Sequence, residues 1–324
     1  VLSYKIQAVN LTNDVVLTST ANFSISKDNT TFGSSVTYTV ADLASNATPT
    51  VYVKFTPNAL TGFSGQIAHA TIGGPTRIVT LSGVGINAYQ QGFNDLNVLT
   101  NSGWTQFDLA GPVNKWAATT VTRNVNSGTG AVLINGYSDT VASKDWLISP
   151  KLHLENFDKF ALLSFYSRKF YAGANLKLMV STDYDGKSNP EGATWVELNG
   201  NFPTTTGTYA QSQYIKLDAY KTSHTYLAWV YATTAGGLNN AAEWSLDDIS
   251  ITNEPGYIDT KPVLDFGDVL PNAVSASQTF TLKAEGQGDI TLTAPADFQL
   301  SLNNTSFQST IVVSAADALA TKTI

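Results

Sequence analysis

The stretch "KDWLISPKLHL", Lys144 to Leu154, is the part of this chain that decides its fold. It contains one acid, one tryptophan and apolar residues on both sides of Pro150. Because proline has no N–H to donate to a neighbouring strand, Pro150 ends regular pairing at this point. The residues alone leave three interpretations open: a catalytic segment, a binding edge or a core strand.

Alternating apolar and polar residues lie on both sides of this stretch. In "TVYVKF" the residues Val51, Val53 and Phe55 share one face, and "NLKLMVS" shows the same period of two. "TYLAWVYA" is apolar on both faces, which is typical of a central strand covered on both sides. Turn clusters such as "NSGTG" and "AGGLNN" separate the runs, and the sequence shows no long amphipathic helix. The pattern predicts an all-β fold of the sandwich class.

The composition excludes several classes of function. Only 13% of the 324 residues are charged, the formal net charge is −7, and no cluster of Lys and Arg occurs. This argues against binding nucleic acid or an anionic membrane, because both need a basic face. The chain has no cysteine, so it has no disulfide, zinc knuckle or thiol nucleophile. No apolar run approaches the roughly 18 residues that span a bilayer, so membrane insertion is not expected.

An internal repeat links the two ends of the chain. "NFSISKDNTTFGSSVTYTVADL", which starts at Asn22, aligns without a gap with "DFQLSLNNTSFQSTIVVSAADA", which starts at Asp297. We therefore expect two copies of one module. We expect the first copy to lack its first strand and the second to be truncated, as in a piece of a longer tandem array. We then expect the two ends either to be frayed or to pair through open strand edges with neighbouring modules or chains.

The segment between the copies differs from them in composition. It holds all six tryptophans, which are Trp104, Trp116, Trp146, Trp195, Trp229 and Trp244. This change in tryptophan content marks a domain boundary, and "NEPG" at Asn253–Gly256 is typical of a linker. The sequence therefore predicts three domains: an end module over 1–87, a central domain over 88–253 and a second end module over 254–324.

Several motifs carry a resemblance to known families. "NFSIS", "VYVKFTP", "GFSGQI" and "VTLSGVG" make the end modules similar to the Ig-like repeats of large secreted or surface proteins of the Bacteroidetes. In the central domain the order "GFND", "SGW", "DWLISPKLHL", "LMVSTDYDG", "ATWVEL", "YLAWVY", "EWSLDDISI" resembles the cleaved-adhesin and choice-of-anchor J group. That group is a jelly-roll β-sandwich related to MAM domains. The resemblance implies a central jelly roll flanked by two partial Ig-like sandwiches.

The resemblance also answers the question raised by the opening stretch. It implies that "DWLISPKLHL" is a core strand of the jelly roll. Trp146, Leu147 and Ile148 then fill the core or the space between sheets.

Oxygen-bearing side chains at the two ends of the central domain predict a calcium site. Asp247 and Asp248 precede its last strand, and Asn94 and Asp95 open its first. First and last strands of jelly rolls commonly lie side by side, and calcium takes six to eight oxygen ligands. We expect a structural calcium held by Asp247, Asp248 and Asn94 or Asp95. The resemblance implies the same, although Asn94 stands where many relatives carry Glu. The alternative is that both aspartates accept hydrogen bonds from backbone N–H groups.

Aromatic side chains in or beside loops form a second candidate site. An exposed cluster of rings would stack on sugar faces, whereas buried rings would fill the core. The candidates are Tyr137, Tyr171, Tyr184, Trp195 and Tyr209.

No catalytic residues are predicted. The three histidines are isolated in sequence, and G-x-S-x-G and H-E-x-x-H are absent. Adjacent Asp247 and Asp248 in a strand would point to opposite faces, which makes them poor partners for glycosidase chemistry.

We therefore expect a non-enzymatic segment of a secreted or cell-surface protein. It would act in adhesion, in binding a glycan or protein ligand, or as a spacer. The alternative is the accessory region of a secreted nuclease, peptidase or glycosidase whose catalytic domain lies elsewhere.

Overall fold

A computed structural model describes residues 1–111, 113–204, 207–260 and 264–324. Over these residues the regular secondary structure is almost entirely β-strand, which confirms the predicted fold class. It divides into two compact units, 1–87 and 88–324. A separate third domain beginning at residue 254 stays a prediction. None of the helices in the described part of the chain is long and apolar enough to cross a membrane.

The first unit is a sandwich of two antiparallel sheets. Its strands are β1 (Leu2–Lys5), β2 (Val15–Ser19), β3 (Phe23–Ser26), β4 (Ser35–Tyr38), β5 (Thr50–Phe55), β6 (Gly62–Ala70) and β7 (Arg77–Val84). One sheet has the order β1-β5-β3 and the other β4-β2-β6-β7. In β2 the alternating residues Val15 and Leu17 are buried while Val16 is exposed, as a period of two requires.

The second unit begins with a larger sandwich. Its elements are β8 (Gln90–Gln91), α1 (Val98–Asn101), β9 (Thr105–Ala110), β10 (Ala117–Thr119), β11 (Ala131–Asn135), β12 (Lys144–Ile148), β13 (Phe160–Phe170), β14 (Lys177–Ser181), β15 (Val196–Leu198), β16 (Tyr209–Gln211), β17 (Ile215–Lys216), β18 (Tyr226–Ala232) and β19 (Glu243–Glu254). The seven-stranded sheet has the order β10-β11-β19-β13-β16, with β17 on β13 and β8 on β19. The five-stranded sheet has the order β15-β14-β18-β12-β9.

The opening stretch is a central strand of this sandwich. β12 pairs with β18 on one side and β9 on the other, and it stops at Ile148, before Pro150. Leu147 joins the core between the two sheets, whereas Trp146 and Ile148 join a smaller cluster on the opposite face of the five-stranded sheet. The apolar residues around Pro150 are therefore buried on both faces.

The core of this sandwich is rich in aromatic rings. Trp104, Trp116, Trp229 and Trp244 are buried between the sheets. Trp146 and Trp195 pack against each other in the smaller cluster, with tilted rings whose centroids are 5.2 Å apart. Every tryptophan of the chain thus packs in this one sandwich.

The remaining elements of the second unit are small. They are β20 (Tyr257–Thr260), β21 (Thr281–Glu285), β22 (Ile290–Thr293), β23 (Thr310–Val313), α2 (Ala315–Leu319) and β24 (Lys322–Thr323). β20, β21 and β24 form one sheet, and β22 and β23 form another. Short 3-10 turns in the chain are Ala44–Asn46, Thr122–Asn124, Gly136–Ser138, Leu154–Asn156, Pro190–Gly192 and Asp218–Tyr220.

Candidate functional site

The first and last strands of the central sandwich lie side by side. Gln91 of β8 pairs with Ile249 of β19, so the chain after β8 starts beside the middle of β19. β19 carries a bulge against β13: Ser250 pairs with Ser164 but Asp247 pairs with Tyr166. The extra residue is on β19, and bulges of this kind redirect side chains.

The bulge turns two adjacent carboxylates toward the same loop. Asp248 has φ 47°, in the left-handed region, which breaks the strand's alternation. The expectation that Asp247 and Asp248 point to opposite faces is therefore wrong, because it assumed regular strand geometry. Both carboxylates accept hydrogen bonds from Asn126 and Ser127.

Asp247 is fully buried, and both of its carboxylate oxygens accept hydrogen bonds from backbone N–H groups. Its Oδ2 accepts the backbone N–H groups of Asn126 and Ser127 at 2.9 and 3.1 Å, and its Oδ1 accepts that of Asp248 at 2.7 Å. Burial still raises the pKa of Asp247 to about 6, although these N–H groups act in the opposite direction. The neighbouring Asp248 carboxylate adds to the rise.

Asn94 binds the same loop two residues further along the chain, at Thr129. Its Oδ1 accepts both the backbone N–H and the hydroxyl of Thr129. Gly128 has φ 64°, and a Cβ there would lie 2.3 Å from Asn94 Oδ1. A Cβ on Gly130 would lie 2.3 Å from the carbonyl oxygen of Phe93. The loop passes this closely only because both positions are glycine.

The structure thus brings three of the four predicted metal ligands to one loop. Asp247, Asp248 and Asn94 all bind Asn126–Thr129, while Asp95 accepts the N–H of Asn97 at 2.9 Å at the start of α1. Within the described ranges no group of three or more acidic or histidine side chains is placed to hold a metal ion. Asp247 accepts backbone N–H groups, as the alternative interpretation described, whereas Asp248 accepts the side-chain amide of Asn126 and the hydroxyl of Ser127.

A second polar cluster, not predicted from sequence, lies on the outer face of the seven-stranded sheet. Arg168 of β13 and Glu243 of β19 form an ion pair of 2.8 Å, with side chains only 3% and 4% exposed. Arg168 also donates to Asn124 Oδ1 at 2.6 Å, and the hydroxyl of Tyr209 donates to the Asn124 carbonyl at 2.6 Å. The sequence of β19 contained a signal for this polar face. Its polar residues Glu243, Ser245 and Asp247 alternate with Trp244 and Leu246, which point into the core.

Two of the predicted aromatics, Tyr137 and Tyr171, follow the ends of strands β11 and β13, which flank β19 in this sheet. Tyr171 is 45% exposed and packs edge-on against Phe170 at 4.7 Å, and Tyr137 is 57% exposed. Asn135 of β11 and Phe170 of β13 both pair with Glu243 of β19, which lies between them. The ends of β11 and β13, next to Tyr137 and Tyr171, are therefore roughly 10 Å apart. We call Tyr137, Phe170, Tyr171 and Arg123 the aromatic rim.

Arginine side chains support the ring at the centre of the rim. The guanidinium of Arg168 lies 4.9 Å from the Phe170 centroid and that of Arg123 lies 5.7 Å from it. Arg123 has 56% of its side chain exposed and also approaches Glu243 at 3.7 Å. The rim therefore combines exposed flat rings with a planar cationic donor.

The other three aromatics are placed differently. Tyr184 is 1% exposed, its hydroxyl donates to the Ser188 carbonyl, and its ring packs on Trp195 and Tyr226. Trp195 is half-buried and donates its Nε1 hydrogen to the Pro190 carbonyl at 2.9 Å. Both rings pack in the smaller core cluster. Tyr209 is half-buried beside Arg168.

One buried acid in the central strand has no hydrogen-bond partner among the described residues. Asp145 of β12 is fully buried, and neither of its carboxylate oxygens accepts a hydrogen bond from the part of the chain that the structure describes. Its neighbours across the sheet are Tyr231 and Asp108. Burial raises the pKa of Asp145 to about 8, with further increases from Asp108 and Asp139 and an opposing effect of Lys115.

Comparison with protein-family models gave no match, and neither did comparison with curated proteins. Solved structures do show similarity. The K1 cleaved adhesin domain of Lys-gingipain from Porphyromonas gingivalis is 16% identical, with a TM-score of 0.38 over 51% of this chain and 97% of that domain. A carbohydrate-binding module of the β-sandwich superfamily is 11% identical, with a TM-score of 0.33 over 77% and 98%. The C-terminal family 22 carbohydrate-binding module of Clostridium thermocellum Xyn10B is 13% identical, with a TM-score of 0.32 over 52% and 95%. At these identities and TM-scores the similarity does not establish a function for this chain.

Proposed function

We propose that this chain is a non-catalytic, ligand-binding segment of a secreted or cell-surface protein, with its central sandwich a domain of the cleaved-adhesin and choice-of-anchor J type. The observation that carries the proposal is the aromatic rim. Tyr137 and Tyr171 are exposed just beyond the ends of β11 and β13, and Arg123 is exposed in the turn Thr122–Asn124, 3.7 Å from Glu243 of the buried pair Arg168–Glu243.

The chemistry of the rim favours a glycan as the ligand. A flat ring offers an apolar face that packs against the C–H face of a sugar, and a tyrosine hydroxyl adds a polar handle. A guanidinium supplies several N–H donors in one plane for sugar hydroxyls or an acidic sugar. The rim is open to solvent, so it suits a chain of sugars better than a small enclosed ligand.

Removing a rim ring should abolish most of the binding. We expect the full chain to bind at least one member of an array of plant, fungal and mucin polysaccharides, and Tyr171→Ala to weaken that binding tenfold or more, which is about 1.4 kcal/mol. Isothermal titration with the strongest polysaccharide measures the change, and Tyr137→Ala should act in the same direction.

Tyr214→Ala is the matched control. Tyr214 is also an exposed tyrosine, at 39%, but it packs on Tyr257 outside the rim. Equal affinities of the Tyr171 and Tyr214 variants, or no binding to any polysaccharide, would rule out a glycan site at the rim.

We also propose that calcium binds where Asn94, Asp247 and Asp248 meet the loop Asn126–Gly130. The donor set is right for a hard cation, since it offers two carboxylates and an amide oxygen together. A bound cation would also offset the unfavourable burial of the Asp247 charge, which raises its pKa. Calcium would supply structural support to the bulge and the glycine loop.

Calcium should therefore raise the melting temperature of the second unit. At a calcium concentration 100 times the Kd the stabilisation is about 2.7 kcal/mol, which corresponds to a rise of about 5–10 °C. Calorimetry in calcium and in chelator measures it, and Asp248→Asn should remove the difference. Asp185→Asn is the control. Asp185 accepts the backbone N–H groups of Lys187 and Ser188 in an exposed turn, so this variant should keep the calcium-dependent difference in melting temperature. Identical melting temperatures of the unmodified chain in both buffers would contradict the calcium proposal. The carboxylates would then act only as hydrogen-bond acceptors.

A further inference from the structure

Arg123 carries a positive charge that the ion pairs around it leave unbalanced. Its guanidinium lies 3.7 Å from Glu243 Oε2, but Glu243 is already paired with Arg168 at 2.8 Å. Each lysine ion pair in the described part of the chain has one cation and one carboxylate, as in Lys177 with Glu197. Glu243 is shared by two cations, so the group formed by the two arginines and Glu243 keeps one positive charge.

The unbalanced charge lies on the exposed member of this group. Arg168 and Glu243 have side chains that are 3% and 4% exposed, whereas 56% of the Arg123 side chain is exposed. A separation of 3.7 Å is too long for a hydrogen bond, so the contact with Glu243 uses none of the N–H donors of Arg123. The exposed guanidinium can therefore donate several N–H groups in one plane to a ligand.

The neighbouring positions on the sheet add no negative charge at this point. The residues paired with Glu243 are Asn135 on β11 and Phe170 on β13, and both are uncharged. The next acid on the outer face of β19 is Asp247, four residues and roughly 13 Å further along the strand. That distance exceeds the Debye length of about 8 Å at physiological salt. A ligand at Arg123 therefore meets a local positive charge, although the whole chain has a net charge of −7.

Hydrogen bonds hold the turn that carries Arg123. The next residue, Asn124, is 2% exposed, and its backbone N–H donates to the carbonyl of Val121 at 2.7 Å. Its Oδ1 accepts from Arg168 at 2.6 Å, and its carbonyl accepts the hydroxyl of Tyr209 at 2.6 Å. The backbone beside Arg123 is thus fixed by buried contacts, and a ligand has to order only the exposed side chain.

The charge of Arg123 and the ring of Tyr171 are within reach of one ligand. The Arg123 guanidinium lies 5.7 Å from the centroid of the Phe170 ring, and the centroid of the Tyr171 ring lies 4.7 Å from it. The guanidinium and the Tyr171 ring are therefore at most about 10 Å apart. A short run of sugar residues spans this separation, so one sugar face can pack on the ring while an acidic group reaches the guanidinium.

We propose that the glycan bound by the aromatic rim is acidic, and that Arg123 selects it by binding the carboxylate of a uronic acid residue. This inference rests on the proposed glycan-binding function of the rim. A carboxylate suits the site because two N–H groups of a guanidinium donate in parallel to its two oxygens. Such charge-assisted hydrogen bonds are roughly twice as strong as neutral ones. A neutral glycan would leave the positive charge at Arg123 unbalanced.

Matched acidic and neutral polysaccharides test the proposal on the full chain. Polygalacturonate, alginate and hyaluronate are each compared with their own methyl ester, which keeps the sugar rings and removes the negative charge. By isothermal titration we expect at least one of the three acids to bind at least tenfold more tightly than its ester. The preference should shrink as sodium chloride is added, because salt screens the attraction of an exposed charge.

Variants at two exposed arginines assign the preference to one side chain. Arg123→Ala should bind the acid and its ester equally, and its melting temperature should stay close to that of the unmodified chain, since an exposed ion pair contributes little stability. Arg123→Lys keeps the charge without the planar set of donors, so it should retain only part of the preference. Arg77→Ala is the matched control, because Arg77 is also exposed but lies in β7 of the first unit, and it should keep the full preference.

The outcomes separate this inference from the proposed function. Equal binding of acid and ester by the unmodified chain, or a full preference in Arg123→Ala, would overturn the selection of an acidic glycan and leave glycan binding at the rim intact. Binding of dextran sulfate without binding of any of the three uronic acid polysaccharides would also overturn it, because the carboxylate would not be the group recognised. Absence of binding to every acidic and neutral polysaccharide would overturn the proposed function itself.

Discussion

Replacing Arg168 with methionine should lower the free energy of unfolding by about 3–5 kcal/mol. The substitution leaves Glu243, which is 4% exposed on its side chain, as a buried charge without its main partner. It also removes the donor to Asn124 Oδ1 and the cation beside the Phe170 ring. Urea denaturation followed by far-UV circular dichroism measures the loss.

Two further variants compare the free-energy contribution of the buried ion pair with that of an ordinary surface ion pair. Lys177→Met breaks the ion pair with Glu197, in which both side chains are 53% exposed, and should cost less than about 1 kcal/mol. The double variant Arg168→Met with Glu243→Leu should recover much of the loss, because it leaves no unpaired buried charge. A loss for Arg168→Met as small as that for Lys177→Met would contradict the assignment of a buried network beneath the rim.

Stability should fall as the pH rises from about 4 to about 8, and Asp145 should be a major cause. The folded pKa of Asp145 is about 8, well above the ordinary value near 4. Below pH 4 the group is protonated in both states, so it imposes no penalty. Between pH 4 and 8 the unfolded chain releases the proton that the folded chain keeps. Stability then decreases by up to roughly 1.4 kcal/mol per pH unit and levels off above pH 8.

Asp145→Asn should remove this part of the pH dependence. The variant should therefore be more stable than the unmodified chain at pH 9, by several kcal/mol, and similar to it at pH 4. Asp108→Asn, at the exposed neighbour across the sheet, should change the profile much less. Parallel stability profiles for the unmodified chain and Asp145→Asn would show that Asp145 does not carry the buried proton.

The strands were predictable because their pleat enforces a period of two. "TYLAWVYA" was expected to be covered on both faces, and six of the seven residues of β18 are buried. The neighbourhood of Asn94 with Asp247 and Asp248 was predictable in outline, since it needs only adjacent first and last strands. β8 and β19 do pair.

The details of the sites were not predictable because they depend on tertiary contacts. The bulge at Asp248 changes the direction of one side chain, and the loop Asn126–Gly130, far away in sequence, supplies hydrogen bonds to both aspartates. Arg168 and Glu243 are 75 positions apart, so no local pattern connects them. Tyr184 and Trp195 lie near loops in sequence, yet a small core cluster on the five-stranded sheet buries them in full or in part.

The concentration of every indole in one sandwich makes the chain its own optical probe. Trp104, Trp116, Trp229 and Trp244 are at most 2% exposed, whereas residues 1–87 contain no tryptophan. Fluorescence excited selectively in the indole band therefore comes from the central sandwich alone, and its emission shifts to the red when that sandwich opens. A transition seen in backbone ellipticity but not in indole emission must come from the modules around it, so unfolding is resolved by module without labels.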